Sequence, residues 1–260
     1  MDAKKHSVPG LSGYRHIALG DVGSTNSVAL DSARAGDPGN LWVTARRQLQ
    51  GRGRRGRPWV SEEGNLYASL LIVDPAPAAK IATLPLVAAL GVYRTLKPFF
   101  AANPQALAIK WPNDILADGR KINGILLESE PLRDGRLAVV IGCGINCAHH
   151  PDNPLYPATD LRACGFEISP DGLFPLLARA MDDVLALWAR GSGFARIREE
   201  WLRAAHGIGA SATVNLHDGK LHGMFEDIDA EGYLCLRLKD GEMKKISAGD
   251  LFFASQGSLS

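Results

Sequence analysis

Apolar residues along this 260-residue chain recur with two different periods, and the change between them outlines its elements. Leu173, Leu176, Leu177, Ala180, Met181, Val184, Leu185 and Trp188 fall three and four positions apart, the spacing of one helical face. Ser169-Pro170 ahead of them supplies an N-cap and a first-turn proline. Phe194, Ile197 and Trp201 predict a second helix, and a third should run from about Asn26 to Ala35, capped by Ser24 and Thr25 and closed by Gly36. The apolar stretch over about 79–100 predicts one long buried helix, with Pro85 near its first turn, where a missing amide matters least. Shorter runs at 14–19, 41–45, 65–73, 108–110, 115–116, 121–128 and 137–141 read as strands. From about Ile208 the texture changes to short alternating strands with turns at Asp218-Gly219, Glu231-Gly232 and Asp240-Gly241. That predicts a small β barrel of roughly fifty residues.

Composition narrows the class of protein. A chain of this length buries a large core and fits one full domain plus a small one. Apolar content of 46% and charged content of 22% are ordinary for a soluble globular protein. A net charge of +1 gives no global field towards nucleic acid or an anionic membrane, so the basicity that exists is local. Residues 1–13 are polar and punctuated by glycine and proline, which predicts a flexible start without a secretory signal. No apolar run reaches the ~20 residues of a membrane span, and a cytoplasmic location is expected. Cys143, Cys147, Cys164 and Cys235 lack CxxC spacing and read as reduced thiols. Cys147 with His149 and His150 raises the question of a metal. Pro151, Asn153 and Pro154 mark that stretch as an exposed loop instead, and no metal is assigned there.

The local basicity lies between Gln48 and Trp59, where Gly51, Gly53 and Gly56 alternate with Arg52, Arg54, Arg55 and Arg57. Glycine permits close approach of a ligand, and arginine presents a planar fork of donors to carboxylate or phosphate oxygens. Such a loop has little to bury and repels itself, so it should be mobile until an anion neutralises it. A solvated basic patch is the plain alternative. The run contains neither a Gly-Lys-Ser/Thr phosphate loop nor a strand–GxGxxG–helix frame. Ser24-Thr25-Asn26 offers hydroxyls and helix-terminal amides suited to a polar group. Lys110-Trp111-Pro112-Asn113-Asp114 precedes a turn at Asp118-Gly119 that should bring Lys121 back towards Asn113 and Asp114. Gly142 and Gly144 end a buried strand where backbone can approach a ligand.

Gln-x-x-Gly-Arg-Gly-Arg-x-Gly-Arg-x-Trp over 48–59 resembles, almost letter for letter, the adenylate-binding loop of biotin–protein ligases. Lys-Trp-Pro-Asn-Asp followed by Lys121-x-x-Gly124-Ile125 is similar to a second signature of that family, and Gly-x-Gly-Ile-Asn at 142–146 to a third. The resemblance implies an α+β protein: a catalytic domain over 14–206 with a mixed β-sheet flanked by helices, then an SH3-like barrel over 207–260. It implies activation of biotin by ATP to biotinyl-5′-adenylate and transfer to a lysine of a biotin carboxyl carrier protein. Ser24, Thr25, Asn26, Gln48, Gly51, Arg52, Gly53, Arg54, Lys121, Gly124 and Gly142 would then contact biotin. Arg52, Arg54, Trp59, Asn113, Asp114, Lys121 and Asn146 would contact the nucleotide, with Lys121, Arg54 and Arg52 catalytic. Mg²⁺ would come with ATP, near Asp114, without a dedicated protein site. With no helix-turn-helix region ahead of Tyr14, the chain resembles the short forms, working as a monomer or homodimer without nucleic acid or membrane. Two rivals stand beside this reading. A lipoate–protein ligase shares the adenylate logic but not the arginine loop. A nucleic-acid-binding protein would interleave aromatic with basic residues across a face, and only Trp59 stands at the loop's edge.

Overall fold

A computed structural model describes residues 6–8, 10–152 and 157–253. Its main sheet has eight strands: β1 (His6–Ser7), β2 (Arg15–Val22), β3 (Leu41–Gln48), β4 (Leu66–Val73), β5 (Leu107–Lys110), β6 (Asp114–Ala117), β7 (Arg120–Pro131) and β8 (Leu137–Ile145). They lie in the order β1-β2-β3-β4-β8-β7-β6-β5. The β2–β3 pair is parallel and the other pairs are antiparallel, so the sheet is mixed.

Period-two alternation sends neighbouring side chains to opposite faces, and both faces are apolar here. On one face Trp42, Leu70, Val139 and Ile141 meet α3 (Leu84–Leu96), α4 (Pro170–Trp188) and α5 (Phe194–Arg203) in the larger core. On the other, Leu41, Val43, Leu71, Ala138 and Val140 pack beneath Ala29 and Ala33 of α1 (Thr25–Arg34). Helix α1 covers only part of its face. Beyond its N-terminus the same strands continue with Ser69, Gly142 and Gly144, and there the site forms.

Two expectations need correction. The stretch 79–100 is not one helix: α2 (Ala78–Ile81) stops, and α3 restarts with Pro85 in its first turn. Proline there would clash with the carbonyl of residue 81 in a continuous helix, which breaks the rod. The start of the chain is also more structured than a flexible 1–13. Residues 1–5 and 9 lie outside the described residues, but β1 pairs with β2, and Val8 and Leu11 are buried in the larger core. Ser169 caps α4 as expected, accepting from the Gly172 amide at 3.1 Å.

The second sheet contains β9 (Ser211–Asn215), β10 (Lys220–Ile228), β11 (Leu234–Leu238), β12 (Met243–Ile246) and β13 (Asp250–Phe253). They are antiparallel in the order β12-β11-β10-β9-β13. The segment entering it is tied to β5: the Ile109 amide donates to Ala204 O and the His206 amide to Ile109 O. That clasp sets β13 beside Lys110.

Candidate active site

Ser24 stands at the N-cap of α1, yet its hydroxyl caps no amide. It faces a recess with Thr25, Asn26, Gln48, Arg52, Trp59, Gly124, Gly142 and Gly144. The polar side chains there form one chain of hydrogen bonds. Glu128 Oε2 accepts from Asn26 Nδ2 at 2.8 Å, and Asn26 Oδ1 accepts from Ser69 Oγ at 2.6 Å. Ser69 Oγ lies 2.7 Å from Thr25 Oγ1, which lies 3.0 Å from Gln48 Oε1. Gln48 Nε2 then donates to Ser61 Oγ, and Ser61 Oγ to Trp59 O. The buried polar groups of α1 are thus held by partners on three strands, and Gln48 in turn by the loop end at Ser61, as burial requires.

Glycine at the floor of the recess is a matter of space. A Cβ on Gly142 would lie 2.2 Å from Asn26 Oδ1, and one on Gly144 would lie 2.6 Å from Trp59 Nε1. The Trp59 ring therefore lies against the glycine backbones of β7 and β8, and its indole N–H is buried without a partner. Cys143 points the other way into the larger core, where burial pushes its thiol up to about 12.

Trp59, Gly124 and Ile125 line both this recess and a second cavity of about 730 Å³. The second is walled by both sheets, with Arg54, Arg55, Arg57, Lys110 and Lys121 outnumbering Asp114, Asp152 and Asp250. Lys121 Nζ is 2.7 Å from Asp114 Oδ1 and 5.7 Å from the centre of the Trp59 ring. Lys110 Nζ lies 5.3 Å over the Phe252 ring. Burial holds the Lys110 ammonium below the usual lysine range, opposed by nearby Asp114. Cations in a partly enclosed cavity of this kind attract a polyanion and weaken repulsion between a carboxylate and a phosphate.

The arginine loop has an internal counterion that its own sequence does not contain. Asp250 takes Arg54 at 3.5 Å, Arg55 at 3.0 Å and also Arg57, while Arg54 Nη2 donates to Gly249 O at 2.5 Å. A 3-10 turn over Arg54–Gly56 and a bridge between Arg52 and Pro58 shape the loop. The self-repulsion expected from the run is met by a carboxylate of the second sheet.

The predicted site residues divide between the two spaces. Ser24, Thr25, Asn26, Gln48, Arg52 and Gly142 line the recess; Arg54, Asp114, Lys121 and Asn146 line the cavity, and Trp59 and Gly124 both. Arg52 does not line the cavity: it reaches Glu128 at 3.3 Å and Ser27 Oγ at 3.2 Å. Asn113 lines neither, being buried with Nδ2 donating to Ile125 O and Oδ1 accepting from Arg54. Gly51 and Gly53 line neither space and serve the loop itself, Gly51 O accepting from the Trp59 amide and the Gly53 amide donating to Arg57 O; a Cβ on Gly51 would fall 2.4 Å from Trp59 O. Asp114, the carboxylate expected near a metal, is engaged by Lys121. Cys147 is buried, not in an exposed loop, and His150 pairs with Asp160 at 2.6 Å; Asn153 and Pro154 lie outside the described residues.

Sequence reasoning missed Glu128, Ser69, Ser61 and Asp250. Glu128 sits two strand periods beyond Gly124, so alternation along β7 could have placed it on the same face. Ser69 was signalled only as a lone hydroxyl in an apolar strand. Nothing local marks Asp250.

A family model described as the Biotin/lipoate A/B protein ligase family matches residues 22–146, and one described as the Biotin protein ligase C terminal domain matches 208–253. The chain is 40% identical over 245 residues to a biotin–[acetyl-CoA-carboxylase] ligase of Paracoccus denitrificans, covering 90% of this chain and 99% of that protein. It is 34% identical to a bifunctional ligase/repressor of Bacillus subtilis, covering 91% of this chain and 74% of the other. A biotin protein ligase from Aquifex aeolicus, solved with biotin and ATP, superposes with a TM-score of 0.77 at 26% identity, over 92% of this chain and 99% of that one. A Leishmania major enzyme solved with biotinyl-5-AMP superposes at 0.64 and 25% identity, over 92% of this chain and 100% of the other.

Proposed function

The chain belongs to the biotin protein ligase family, and from that premise we propose that it attaches biotin to a lysine of the carrier domain of acetyl-CoA carboxylase through biotinyl-5′-adenylate. Biotin and ATP are its substrates, with Mg²⁺ arriving on the nucleotide. The observation that carries the reading is the recess of hydroxyls and amides opening into a cationic cavity at Trp59, with Lys121 at the junction. A lipoate ligase leaves the arginine loop and the match over 208–253 unexplained.

In the first step a biotin carboxylate oxygen attacks the α-phosphorus of ATP, forming an acyl–phosphate bond as pyrophosphate leaves. The ureido end occupies the recess beside Ser24, Thr25 and Gln48, and the tail crosses the glycines of β7 and β8. Lys121 stands where carboxylate and α-phosphate meet, exchanging Asp114 for substrate oxygens. Arg54 and Lys110 offset the remaining phosphate charge, which positions two anions that otherwise repel each other. In the second step the carrier lysine's neutral amine attacks the anhydride carbonyl, an amide forms and AMP leaves. The arginine loop and Trp59 cover the anhydride and limit hydrolysis.

The protein acts in the cytoplasm as a monomer or homodimer, without nucleic acid or membrane. A net charge of +1 gives no general attraction to nucleic acid or an anionic membrane, and among the described residues no helix is long and apolar enough to cross a membrane. The test is incubation with biotin and Mg-ATP and then a purified carrier domain, following adenylate and protein-linked biotin by mass. Absence of both products would overturn the reading.

A further inference from the structure

Glu128 is joined by hydrogen bonds to two parts of the site that come from distant segments. Its Oε2 accepts from Asn26 Nδ2 at 2.8 Å, and both carboxylate oxygens lie 3.3 Å from Arg52 Nη2. Asn26 is 4% exposed, so the orientation of its amide has consequences that water cannot repair. Its nitrogen also faces Leu126 O at 3.3 Å, a second acceptor. Two acceptors on one side force the amide oxygen to the other, towards Ser69 Oγ at 2.6 Å.

A serine hydroxyl has one proton. With that proton given to Asn26 Oδ1, Ser69 can only accept from Thr25 Oγ1, 2.7 Å away. Thr25 in turn must give its proton to Ser69 or to Gln48 Oε1, which already accepts from the Thr25 amide at 2.9 Å. Of the two hydroxyls Thr25 lines the recess, and a lone pair on its Oγ1 is left to accept there, beside the Ser24 hydroxyl, which caps no amide. That suits a ligand bringing N–H donors, as a cyclic urea does. Were the Asn26 amide reversed, its N–H would face Ser69 and the proton order of the chain would invert.

We propose that Glu128 is a positioning residue that fixes the Asn26 amide and thereby sets the donor and acceptor pattern of the biotin recess. The inference rests on biotin being the ligand. Glu128 does not line the recess, and it acts through Asn26 on ligand binding. Its contact with Arg52 adds a tether for the first arginine of the loop.

The test compares Glu128→Gln and Glu128→Met with the parent by calorimetric titration with biotin, thermal unfolding and steady-state kinetics. Glutamine keeps a carbonyl oxygen for Asn26 Nδ2, so biotin affinity should stay within about threefold of the parent. Methionine matches the shape without an acceptor and should weaken biotin roughly tenfold to hundredfold. The loss should appear as a raised KM for biotin with kcat kept at saturation, since the interaction serves ground state and transition state alike. Ser69→Ala, at the other anchor of Asn26, should weaken biotin similarly and less than additively with Glu128→Met. Parent-like affinity in Glu128→Met would overturn the inference. A neutral Ser69→Ala would overturn it even if the methionine variant did not fold. A parent protein that binds no biotin would instead sink the functional reading.

Discussion

Lys121 and Asp114 face each other across the β6–β7 hairpin, with Nζ 2.7 Å from Oδ1. The turn that brings them together has Asp118 and Gly119 both at positive φ, 48° and 73°, the geometry of a tight hairpin turn matched to strand twist. Asp114 holds the ammonium at the mouth of the cationic cavity, and under the proposed function substrate oxygens take its place. An ion pair at this exposure contributes about 1 kcal/mol or less, so its exchange costs little.

Lys121→Ala should therefore leave the fold intact and slow adenylate formation. Removing one preorganised donor from developing charge costs on the order of 10²–10³ in rate. Single-turnover formation of biotinyl-adenylate, alongside an unfolding curve, separates the two effects. A parental rate would shift the role to Lys110, whose ammonium lines the same cavity.

Asp250→Asn should loosen the arginine loop without unfolding either sheet. Asp250 is 12% exposed while its three arginine partners are 29–46% exposed, so the pairing is worth only about 1 kcal/mol after screening. Amides between Gly51 and Pro58 should exchange roughly tenfold faster in the ligand-free variant. Protection should return on adding biotin and ATP, because phosphate replaces the lost carboxylate. Equal exchange in parent and variant would show that the loop is held by its own backbone.

These relationships explain what could be read along the chain and what could not. The faces of α4 and α5, the strands β4 and β8 and the turn at Asp118-Gly119 are local patterns, and the spacing of apolar residues or turn chemistry suffices for them. The arginine loop and the Lys110–Lys121 hairpin are also local, so their residues were identified together. The break before Pro85 was legible in principle, since proline marks a helix start as readily as a first turn. Asp250 lies nearly two hundred residues from the arginines it binds, and Glu128 about a hundred from Asn26. Contacts at such separation leave no periodicity. They follow from the sheet order, which places β7 beside β8, and from the clasp at Ile109, which sets β13 beside Lys110.

His206 bridges the two sheets, with its ring edge-on to Phe253 at 4.9 Å. Burial first, and then Lys110, lowers its folded pKa below the usual 6.5. The unfolded chain therefore takes up a proton at a higher pH than the native chain does. Stability from neutral His206 is present above 6.5 and is lost as pH falls from there to the folded value. His206→Phe keeps an aromatic ring and removes the titration. Its urea midpoint should fall less than the parent's between pH 7.5 and pH 5. Parallel curves would assign the acid sensitivity to other groups.

Gly142→Ala tests the floor of the recess. The added methyl would meet Asn26 Oδ1 at 2.2 Å, and Asn26 is held by Ser69, Leu126 and Glu128. Asn26 must leave its bonds or the strand must shift, and overpacking of this kind costs about 1–3 kcal/mol. Biotin affinity should fall at least tenfold while ATP binding to the cavity is retained. Parent-like biotin binding would show that the ligand does not depend on Asn26.

Arg54 is expected to separate making the adenylate from keeping it. It lines the cavity and joins three elements, donating to Asn113 Oδ1 at 3.4 Å and Gly249 O at 2.5 Å and pairing with Asp250. Under the proposed function its guanidinium turns from Asp250 to the adenylate phosphate while the loop stays closed. Arg54→Gly removes those donors and adds backbone freedom that closure must take away. Loss of one charge-assisted hydrogen bond costs about 1.5–3 kcal/mol, roughly a tenfold to hundredfold loss of retention. Lys121 and Lys110 remain in the cavity, so the first step should still proceed. The variant is expected to form biotinyl-adenylate and release it, so that exposed lysines of a bystander protein become biotinylated. Adenylate dissociation measured for parent and variant, with biotin labelling of added serum albumin, gives the two readouts. Unchanged release without stray labelling would remove Arg54 from the lid and leave closure to Arg55, Arg57 and Trp59.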